Sequence, residues 1–396
     1  MLRIIPSAAL VAALALAAPS ALAQPAGPVA EAAQASAPLS IARQGFFYVG
    51  GKRHETEAGP VIADRMYVEF QIPAQQTQPY PLVFFHGGGP SGVVWTMTPD
   101  GRPGWRDYFL RRGFAVYIVD APMIGRSGYN SLVDGAQTIV PNIPQPPPAP
   151  GAAPRWPQEV KHTQSPATGG ADDPVRDAMA AYILPGVEAV RGGTIPPPLP
   201  IVQRTDEIVQ AAASALLDRI GPAIIVTHSR SGTYSWLIPD ARPNLVKGVV
   251  AVEPNGPPYY NNLPGAPPQT ETARPWGLTY ARLNFDPAPA SAADIAPTRQ
   301  QRSEGPGLVG CWDMGGRRRT LPNLRNIPIL IVSGEASYHA QYDQCTSRFL
   351  TRAGVPNEYV RLESVGIHGN GHSMMGEKNS DEVAAFIADW LVEKVR

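Results

Sequence analysis

Apolar runs recur along the chain, and segments with helical periodicity lie between them. The runs are rich in Val, Ile and Phe and lack polar alternation, which is typical of strands buried on both faces. This arrangement predicts an α/β fold, with a mostly parallel central sheet and helices on both faces. The predicted strands are Arg65 to Ile72, Pro81 to His86, Ala115 to Asp120, Ala223 to Ser229, Lys247 to Glu253, Pro328 to Ser333 and Glu358 to Leu362.

Three segments carry the apolar periodicity of amphipathic helices. The first runs from Gly104 to Arg112. The second is predicted to begin at Thr205, a residue type that caps helices, and to end at Gly221. The last begins near Ser380 and is expected to bury Val383, Phe386, Ile387, Trp390 and Leu391.

Residues 138 to about 200 interrupt this pattern. They contain 15 of the 45 prolines, too many for a regular helix or a central strand. We predict a Pro-rich insertion between the Asp120 strand and the next helix. It is either a lid over a site or an irregular, solvated excursion. Residues 24 to 40 are expected to form a flexible Ala/Pro-rich leader, so the folded domain is predicted to span 41 to 396.

The amino terminus is typical of a secretory signal peptide. Arg3 precedes an apolar run, and Ala21-Leu22-Ala23 offers a small-residue cleavage site before Gln24. No later segment is apolar enough to span a bilayer. The sequence therefore predicts a soluble periplasmic or secreted protein.

The charge of the chain limits the classes of binding partner, and its two cysteines bear on disulfide formation. The chain has 33 basic and 33 acidic residues, so loss of Arg3 leaves 32 − 33 = −1. This balance argues against nucleic acid or an anionic membrane as the main partner. Cys311 and Cys345 are the only cysteines. In an exported protein they are expected to form a disulfide, with two buried free thiols as the alternative.

A candidate nucleophile follows the fourth predicted strand. Ser229 ends the apolar run from Ile224 and has Thr227 and Ser231 two positions away on either side. A strand that turns sharply into a helix at a serine flanked by small residues is the nucleophile elbow of serine hydrolases. Thr227 and Ser231 replace the usual glycines, so an ordinary strand-to-helix junction is the alternative.

The acid and the base each have two candidates. Glu253 ends the strand after Ser229, at the sheet edge where sites of parallel sheets assemble, whereas Glu335 follows the next strand. The order serine, acid, histidine requires a base just before the last helix. His372 is favoured over His368 because it is closer to that helix and has glycines around it. The two histidines lack an obvious third ligand, so we expect no metal.

The expected oxyanion donors lie in two loops. Gly87-Gly88-Gly89 follows His86 at the end of an early strand. Glycines there let backbone N–H groups face a substrate, so Gly88 is the expected first donor. Arg230, the residue after Ser229, is the expected second donor, at the start of a helix. Trp95, Trp105 and Trp156 are candidates for an apolar pocket or for simple packing.

Six motifs follow one another along the chain: His86-Gly87-Gly88-Gly89, Thr98 to Trp105, Phe109 to Phe114, the serine elbow, Glu253-Pro254 and Gly369 to His372. Together they resemble the esterase 713-like α/β-hydrolases. The resemblance covers most of residues 45 to 395, outside the leader and the insertion. It implies a one-domain exported carboxylesterase with Ser229 as nucleophile, Glu253 as acid and His372 as base. One departure is that the founding member carries adjacent cysteines where this chain has Gly88-Gly89, so substrate preference is not carried over.

The sequence therefore predicts a serine carboxylesterase that acts through an acyl-enzyme on a small or polymeric ester. The same three residues also fit hydrolysis of a lactone, thioester, amide or polyester. A non-catalytic binding protein is the remote alternative. No cofactor motif is visible, so none is expected. The sequence leaves the oligomeric state open, with a homodimer as one option.

Overall fold

An eight-stranded sheet is the centre of the unit Leu39–Arg396 in a computed structural model of the protein. The structure describes residues 38–135, 153–168, 172–184, 199–261, 272–300 and 302–396. A further two-stranded sheet pairs β7 with β8. The strands are β1 Ile41–Thr56, β2 Gly59–Pro73, β3 Leu82–Phe85, β4 Val116–Asp120, β5 Ala223–His228, β6 Val246–Val252, β7 Thr298–Arg299, β8 Trp312–Asp313, β9 Ile329–Ser333 and β10 Glu358–Arg361.

The order of strands in the large sheet is β1-β2-β4-β3-β5-β6-β9-β10. β1 pairs antiparallel with β2, and β2 antiparallel with β4, whereas the other pairs are parallel. Parallel neighbours end at the same edge of a sheet. The loops that follow β3, β5, β6, β9 and β10 therefore meet at one edge, and these loops contain the sequence candidates.

Helices cover both faces of the sheet. The helices are α1 Trp105–Arg111, α2 Ser131–Asp134, α3 Pro174–Ala181, α4 Leu199–Ile220, α5 Tyr234–Ala241, α6 Asp343–Arg352 and α7 Ser380–Lys394. One apolar core packs α4, α5 and α6 against the sheet, and a second packs α1 and α7 on the opposite face. This two-faced burial explains why the central strands are apolar at successive positions.

Most predicted elements are present, but two predictions need correction. β1 was not predicted, and β2 begins at Gly59 and not at Arg65, because most positions of this hairpin are exposed or half-buried and its apolar stretches are short. The predicted start of the long helix at Thr205 is wrong. α4 begins at Leu199, and the Thr205 hydroxyl donates to the Ile201 carbonyl, 3.0 Å away, inside the helix.

Part of the Pro-rich insertion is described. Residues 153–168 contain a 3₁₀ turn at Pro157–Lys161, and residues 172–184 contain α3. The predicted signal peptide and almost all of the leader lie outside the described residues. Within the described ranges, none of the helices is both long and apolar enough to cross a membrane.

The predicted disulfide is confirmed. Cys311 and Cys345 are bonded with an S–S distance of 2.08 Å, and both are buried. The bond joins the residue before β8 to the first turn of α6 and closes a loop with a sequence separation of 34. It therefore anchors the segment before β8 to the main domain.

Candidate active site

Ser229 lies on a tight turn between β5 and a helical segment. Its φ of +55° is in the left-handed region that a non-glycine residue rarely adopts. A 3₁₀ turn, Ser229–Thr233, comes first, and α5 begins only at Tyr234, so the helix predicted from Arg230 starts as 3₁₀. A Cβ on Gly232 would lie 2.4 Å from Pro254 Cα, so this position requires glycine. The turn is thus in close contact with the loop after β6.

The two residues that replace the expected glycines are buried and hydrogen-bonded. The Thr227 and Ser235 hydroxyls are 2.6 Å apart. Ser231 Oγ accepts from the His228 N–H at 2.9 Å and lies 3.0 Å from the Phe85 carbonyl oxygen. These hydroxyls bridge the turn to β3 and α5. The substitutions are therefore compatible with the elbow, because each polar group is satisfied.

His372 lies between Ser229 and Glu253. Its Nε2 is 2.9 Å from Ser229 Oγ, and its Nδ1 is 2.5 Å from Glu253 Oε2. With Nδ1 donating its proton to the carboxylate, Nε2 is left to accept the proton of the serine hydroxyl. The sequence predicted this set of three residues, and the fold brings them together from the ends of β5 and β6 and from the loop before α7.

Glu253 is fully buried and accepts further hydrogen bonds. The Gly334 N–H donates to its Oε1 at 2.7 Å, and the Ser337 hydroxyl donates to its Oε2 at 2.6 Å. Burial raises the pKa of Glu253 and the nearby Asp343 adds to the rise, while His339 and these two donors oppose it. With the Nδ1–H of His372 as a third donor, we assign the carboxylate form to Glu253.

The alternative acid and base pair with each other at the surface. His368 Nδ1 is 3.1 Å from Glu335 Oε2, and Lys161 Nζ is 3.0 Å from Glu335 Oε1. The side chain of His368 is 63% exposed, which leaves it in solvent. Within the described ranges, neither side chain is hydrogen-bonded to Ser229; Glu335 also accepts from the Gly369 N–H at 3.1 Å. One candidate pair is thus hydrogen-bonded to the serine, whereas the other pair is not and has its histidine in solvent.

The glycine loop after β3 lies against the serine turn. A Cβ on Gly87 would be 3.2 Å from Ser229 Cβ, and one on Gly88 would be 3.3 Å from Arg230 Cβ. His86 is buried, and its Nε2 accepts from the Ala121 N–H at 2.9 Å, as expected for a structural histidine. The predicted oxyanion donors, Gly88 and Arg230, are therefore neighbours.

The chain is similar to known proteins in sequence and in fold. No protein-family model matches the chain. The chain is 40% identical over 355 residues to "Probable secreted lipase phiG" from Fungal sp. (strain ATCC 74256), a match that covers 87% of this chain and 88% of that protein. A solved structure described as a novel bacterial esterase superposes with a TM-score of 0.59 at 24% identity, over 91% of this chain and 98% of that one.

The chain belongs to the α/β-hydrolase family of lipases and esterases. Its fold is that of an α/β-hydrolase, as the sequence predicted, and it is a carboxylic ester hydrolase. The predicted resemblance to esterases of this superfamily is confirmed.

The histidine loop of this α/β-hydrolase is held by Glu377, which the sequence did not single out. Its carboxylate accepts from the Gly371 N–H at 2.9 Å and from Asn370 Nδ2 at 2.8 Å. His162, from the Pro-rich insertion, lies 2.7 Å from the same carboxylate. The only sequence signal is an acidic residue that follows the glycine-rich loop by a few positions. Glu377 therefore fixes the backbone directly before His372.

A second carboxylate–imidazole pair lies beside the first. The rings of His339 and His372 stack with centroids 4.6 Å apart at 10°, and His339 Nδ1 is 3.0 Å from Asp343 Oδ1. Burial lowers the pKa of His339, but Asp343 outweighs it and the net shift is upward. Burial, followed by the charge of His339, lowers the pKa of His372 well below its ordinary value. His372 is therefore held in the neutral form that accepts a proton.

Glu253, His339 and His372 also form a group with metal-ligand spacing, since their ligand atoms lie within 4.8 Å of one another. Glu253 and His372 already share a hydrogen bond of 2.5 Å, which a shared metal would have to replace. The arrangement present is one for proton transfer.

The insertion contributes to the walls of the site. The Trp156 indole N–H donates to the Ala336 carbonyl at 2.8 Å, and its ring packs on Tyr338. On the other side of the serine, the Leu184 N–H donates to the Gly89 carbonyl at 2.8 Å. Of the three tryptophans considered from sequence, Trp95 and Trp105 belong to the core beneath the sheet and only Trp156 is at the site.

Proposed function

We propose that this ester hydrolase is a serine carboxylesterase in which Ser229 is the nucleophile, His372 the general base and Glu253 the acid that orients it. The observation that carries the proposal is the unbroken series of contacts from Ser229 Oγ to His372 Nε2 and from His372 Nδ1 to Glu253. Serine, base and acid in hydrogen-bond contact are what nucleophilic catalysis by a hydroxyl requires.

The proposed reaction has two steps. Ser229 Oγ attacks the ester carbonyl carbon while its proton passes to His372 Nε2, and that proton then goes to the departing alcohol. In the second step water attacks the carbonyl carbon of the acyl-enzyme while its proton passes to His372 Nε2. The bond to Ser229 Oγ then breaks, the carboxylic acid leaves, and Ser229 Oγ takes the proton back from His372. Glu253 holds His372 in the tautomer with a proton on Nδ1 and stabilises the imidazolium that forms in each step.

The oxyanion is proposed to bind the backbone N–H groups of Gly88 and Arg230. Support comes from the contact between the two residues and from Gly87, where an added Cβ would lie 2.8 Å from His228 Nδ1. The glycines let the backbone approach the serine closely. Loss of one such donor typically costs about 100-fold or more in kcat.

The substrate class is proposed as carboxylic esters of small molecules, lipids or polymers. The relative at 40% identity is named as a secreted lipase, which supports an ester with an apolar acyl part. A p-nitrophenyl ester series of increasing chain length, with lactone, thioester, amide and polyester substrates beside it, distinguishes the ester proposal from its alternatives. Faster turnover of one of those alternatives would replace it.

Ser229→Ala tests the nucleophile. Ester hydrolysis should fall on the order of a millionfold, and fluorophosphonate labelling should disappear. Ser364→Ala, at an exposed serine, is the matched control and should keep both. Near-wild-type hydrolysis by Ser229→Ala would refute the proposal.

The acid is tested by comparing Glu253→Gln with Glu335→Gln. We expect a large loss of kcat only in the first, because Glu335 contacts His368 and Lys161 at the surface. Equal, mild losses in both variants would leave the orientation of His372 without an explanation.

We also propose that Met1 to Ala23 is a cleaved signal peptide. The secreted relative and the disulfide support export. Amino-terminal sequencing of protein from the culture medium or periplasm should begin near Gln24. A chain that retains residues 1 to 23 contradicts cleavage.

The Pro-rich insertion is proposed to cover the site like a lid. Its contacts to Ala336 and Gly89 lie on both sides of Ser229. An acyl-phosphonate inhibitor should slow proteolytic cleavage within residues 153–168. Unchanged cleavage would favour a plain surface excursion.

A further inference from the structure

The hydroxyl of Tyr338 touches the base but has no part in the reaction described above. Tyr338 Oη lies 3.3 Å from His372 Nε2, the nitrogen that also contacts Ser229 Oγ at 2.9 Å. Nε2 has a single lone pair when Nδ1 carries the proton, and Ser229 occupies it. The phenol therefore lies beside the nitrogen that transfers the proton, and its O–H can donate a hydrogen bond to a third group.

Packing fixes the position of this phenol. The Tyr338 ring lies 4.9 Å from the His372 ring and 5.7 Å from Trp156. Its backbone begins a 3₁₀ turn, Tyr338–Gln341, whose N-cap is Ser337. Because the Ser337 hydroxyl also donates to Glu253, the same turn positions the acid and the phenol.

The electrostatic surroundings keep the phenol protonated. Burial raises the pKa of Tyr338, and the nearby Glu253 and Asp343 raise it further. An ionised phenolate beside these carboxylates is disfavoured. Tyr338 can therefore act as a hydrogen-bond donor and not as a base or nucleophile.

We propose that the Tyr338 hydroxyl is a further catalytic group, which donates a hydrogen bond to the oxygen of the departing alcohol and then to the water that attacks the acyl-enzyme. The inference rests on the proposed function of Ser229 and His372. Nε2 must come within about 3 Å of the leaving oxygen to protonate it, so that oxygen also comes within reach of Tyr338 Oη.

The proton balance does not involve ionisation of Tyr338. In acylation the bond from Ser229 Oγ to the carbonyl carbon forms, and the bond from that carbon to the alcohol oxygen breaks. The proton moves from Ser229 through His372 Nε2 to the alcohol oxygen, while the phenol keeps its own proton and stabilises the charge that develops on that oxygen.

Tyr338→Phe tests the proposal, because it retains the ring and removes only the hydroxyl. Two esters with the same acyl chain are compared, an alkyl ester with a poor leaving group and a p-nitrophenyl ester with a good one. Since kcat/KM reports acylation, it should fall roughly tenfold or more for the alkyl ester. It should change little for the p-nitrophenyl ester, whose leaving oxygen needs no added stabilisation.

Tyr342→Phe is the matched control, at a neighbouring buried phenol whose ring lies 6.2 Å from that of Tyr338. It should leave the ratio of the two kcat/KM values unchanged. Fluorophosphonate labelling of each variant shows that the serine site is intact. An equal loss with both esters, or no loss with either, overturns the role of Tyr338. Full activity in Ser229→Ala instead overturns the proposed function, whatever the ratio is.

Discussion

Ser229 and Glu253 both have left-handed backbone conformations, with φ of +55° and +44°. Such conformations cost on the order of 1–3 kcal/mol each, and they persist only where surrounding contacts enforce them. Here the Asn255 N–H donates to the Ser229 carbonyl at 2.8 Å, so the two strained turns support each other. The strain places both side chains above the sheet edge and facing His372.

The pH dependence of activity is a prediction at the residue scale. His372 must be neutral to accept a proton, and burial and His339 lower its pKa well below the ordinary value of 6.5. Activity should therefore persist as the pH falls through 6.5 and be lost only below it. The measurement is the pH profile of kcat/KM on the wild type. An acid limb at or above pH 6.5 would contradict it.

His339→Gln separates the two causes of the low pKa of His372, which are burial and the charge of His339. Removing the charge of His339 should move the acid limb upward, while burial of His372 remains. The other groups that face His372 are Glu253, Tyr338 and His228, whose ring lies 4.6 Å away. Burial lowers the pKa of His228, so this imidazole stays neutral and we do not attribute the acid limb of the pH profile to it.

At the scale of elements, the site depends on how closely the turns after β5, β6 and β9 approach one another. Gly232 meets the loop after β6, and a Cβ on Gly334, after β9, would lie 2.6 Å from the Asn370 carbonyl oxygen of the histidine loop. Glycine at these two positions lets the loops after β5, β6 and β9 and the histidine loop pack closely together. Their closeness makes the contact from serine to histidine to glutamate possible.

Gly232→Ala should destabilise the protein and displace Ser229. The added methyl would lie 2.4 Å from both Pro254 Cα and Asn255 N, which are backbone atoms that cannot move independently. We expect a loss of at least about 2 kcal/mol in the free energy of unfolding, together with a fall in kcat. Urea denaturation and ester hydrolysis measure the two effects.

Gly305→Ala is its control, because a Cβ there would meet only Leu308 Cδ1 at 3.5 Å. Its stability and activity should stay near those of the wild type. Equal stability of the two variants would show that the turn is less crowded than the structure indicates.

Glu377→Ala should loosen the histidine loop. It leaves the Gly371 N–H, Asn370 Nδ2 and His162 without their buried acceptor. We expect kcat to fall roughly tenfold or more, since small misplacements of a base are costly, while KM changes less. Glu382→Ala, at an exposed position in the first turn of α7, should leave both constants unchanged. A change in KM alone would instead place Glu377 in substrate binding.

At the scale of the whole molecule, two apolar cores on opposite faces of one sheet stabilise the fold. The disulfide adds a covalent constraint to this packing. Cys311→Ser combined with Cys345→Ser should cost about 4 kcal/mol for a loop of this length. Thermal unfolding should show a Tm lower by roughly 5–10 °C. The wild type in reducing agent should behave in the same way, and an unchanged Tm in both would show that the bond adds no stability.

The chain's own pattern determined the fold class, the central strands and the short list of candidates for nucleophile, acid and base. The reason is that strands buried on both faces need long apolar runs, and a serine, an acid and a histidine in a parallel sheet must follow particular strands in a fixed order. The disulfide could be predicted as well, because the chain has only two cysteines. These properties are carried by residues close to one another in sequence or by their order.

Only the tertiary structure decided between the paired alternatives. Glu335 and His368 have the same residue types as Glu253 and His372, but a sequence does not say which pair is hydrogen-bonded to the serine and which is not. The same holds for Glu377, His339 and Tyr338. Their neighbours come from distant parts of the chain, such as His162 in the insertion, and contacts of that kind follow from packing alone.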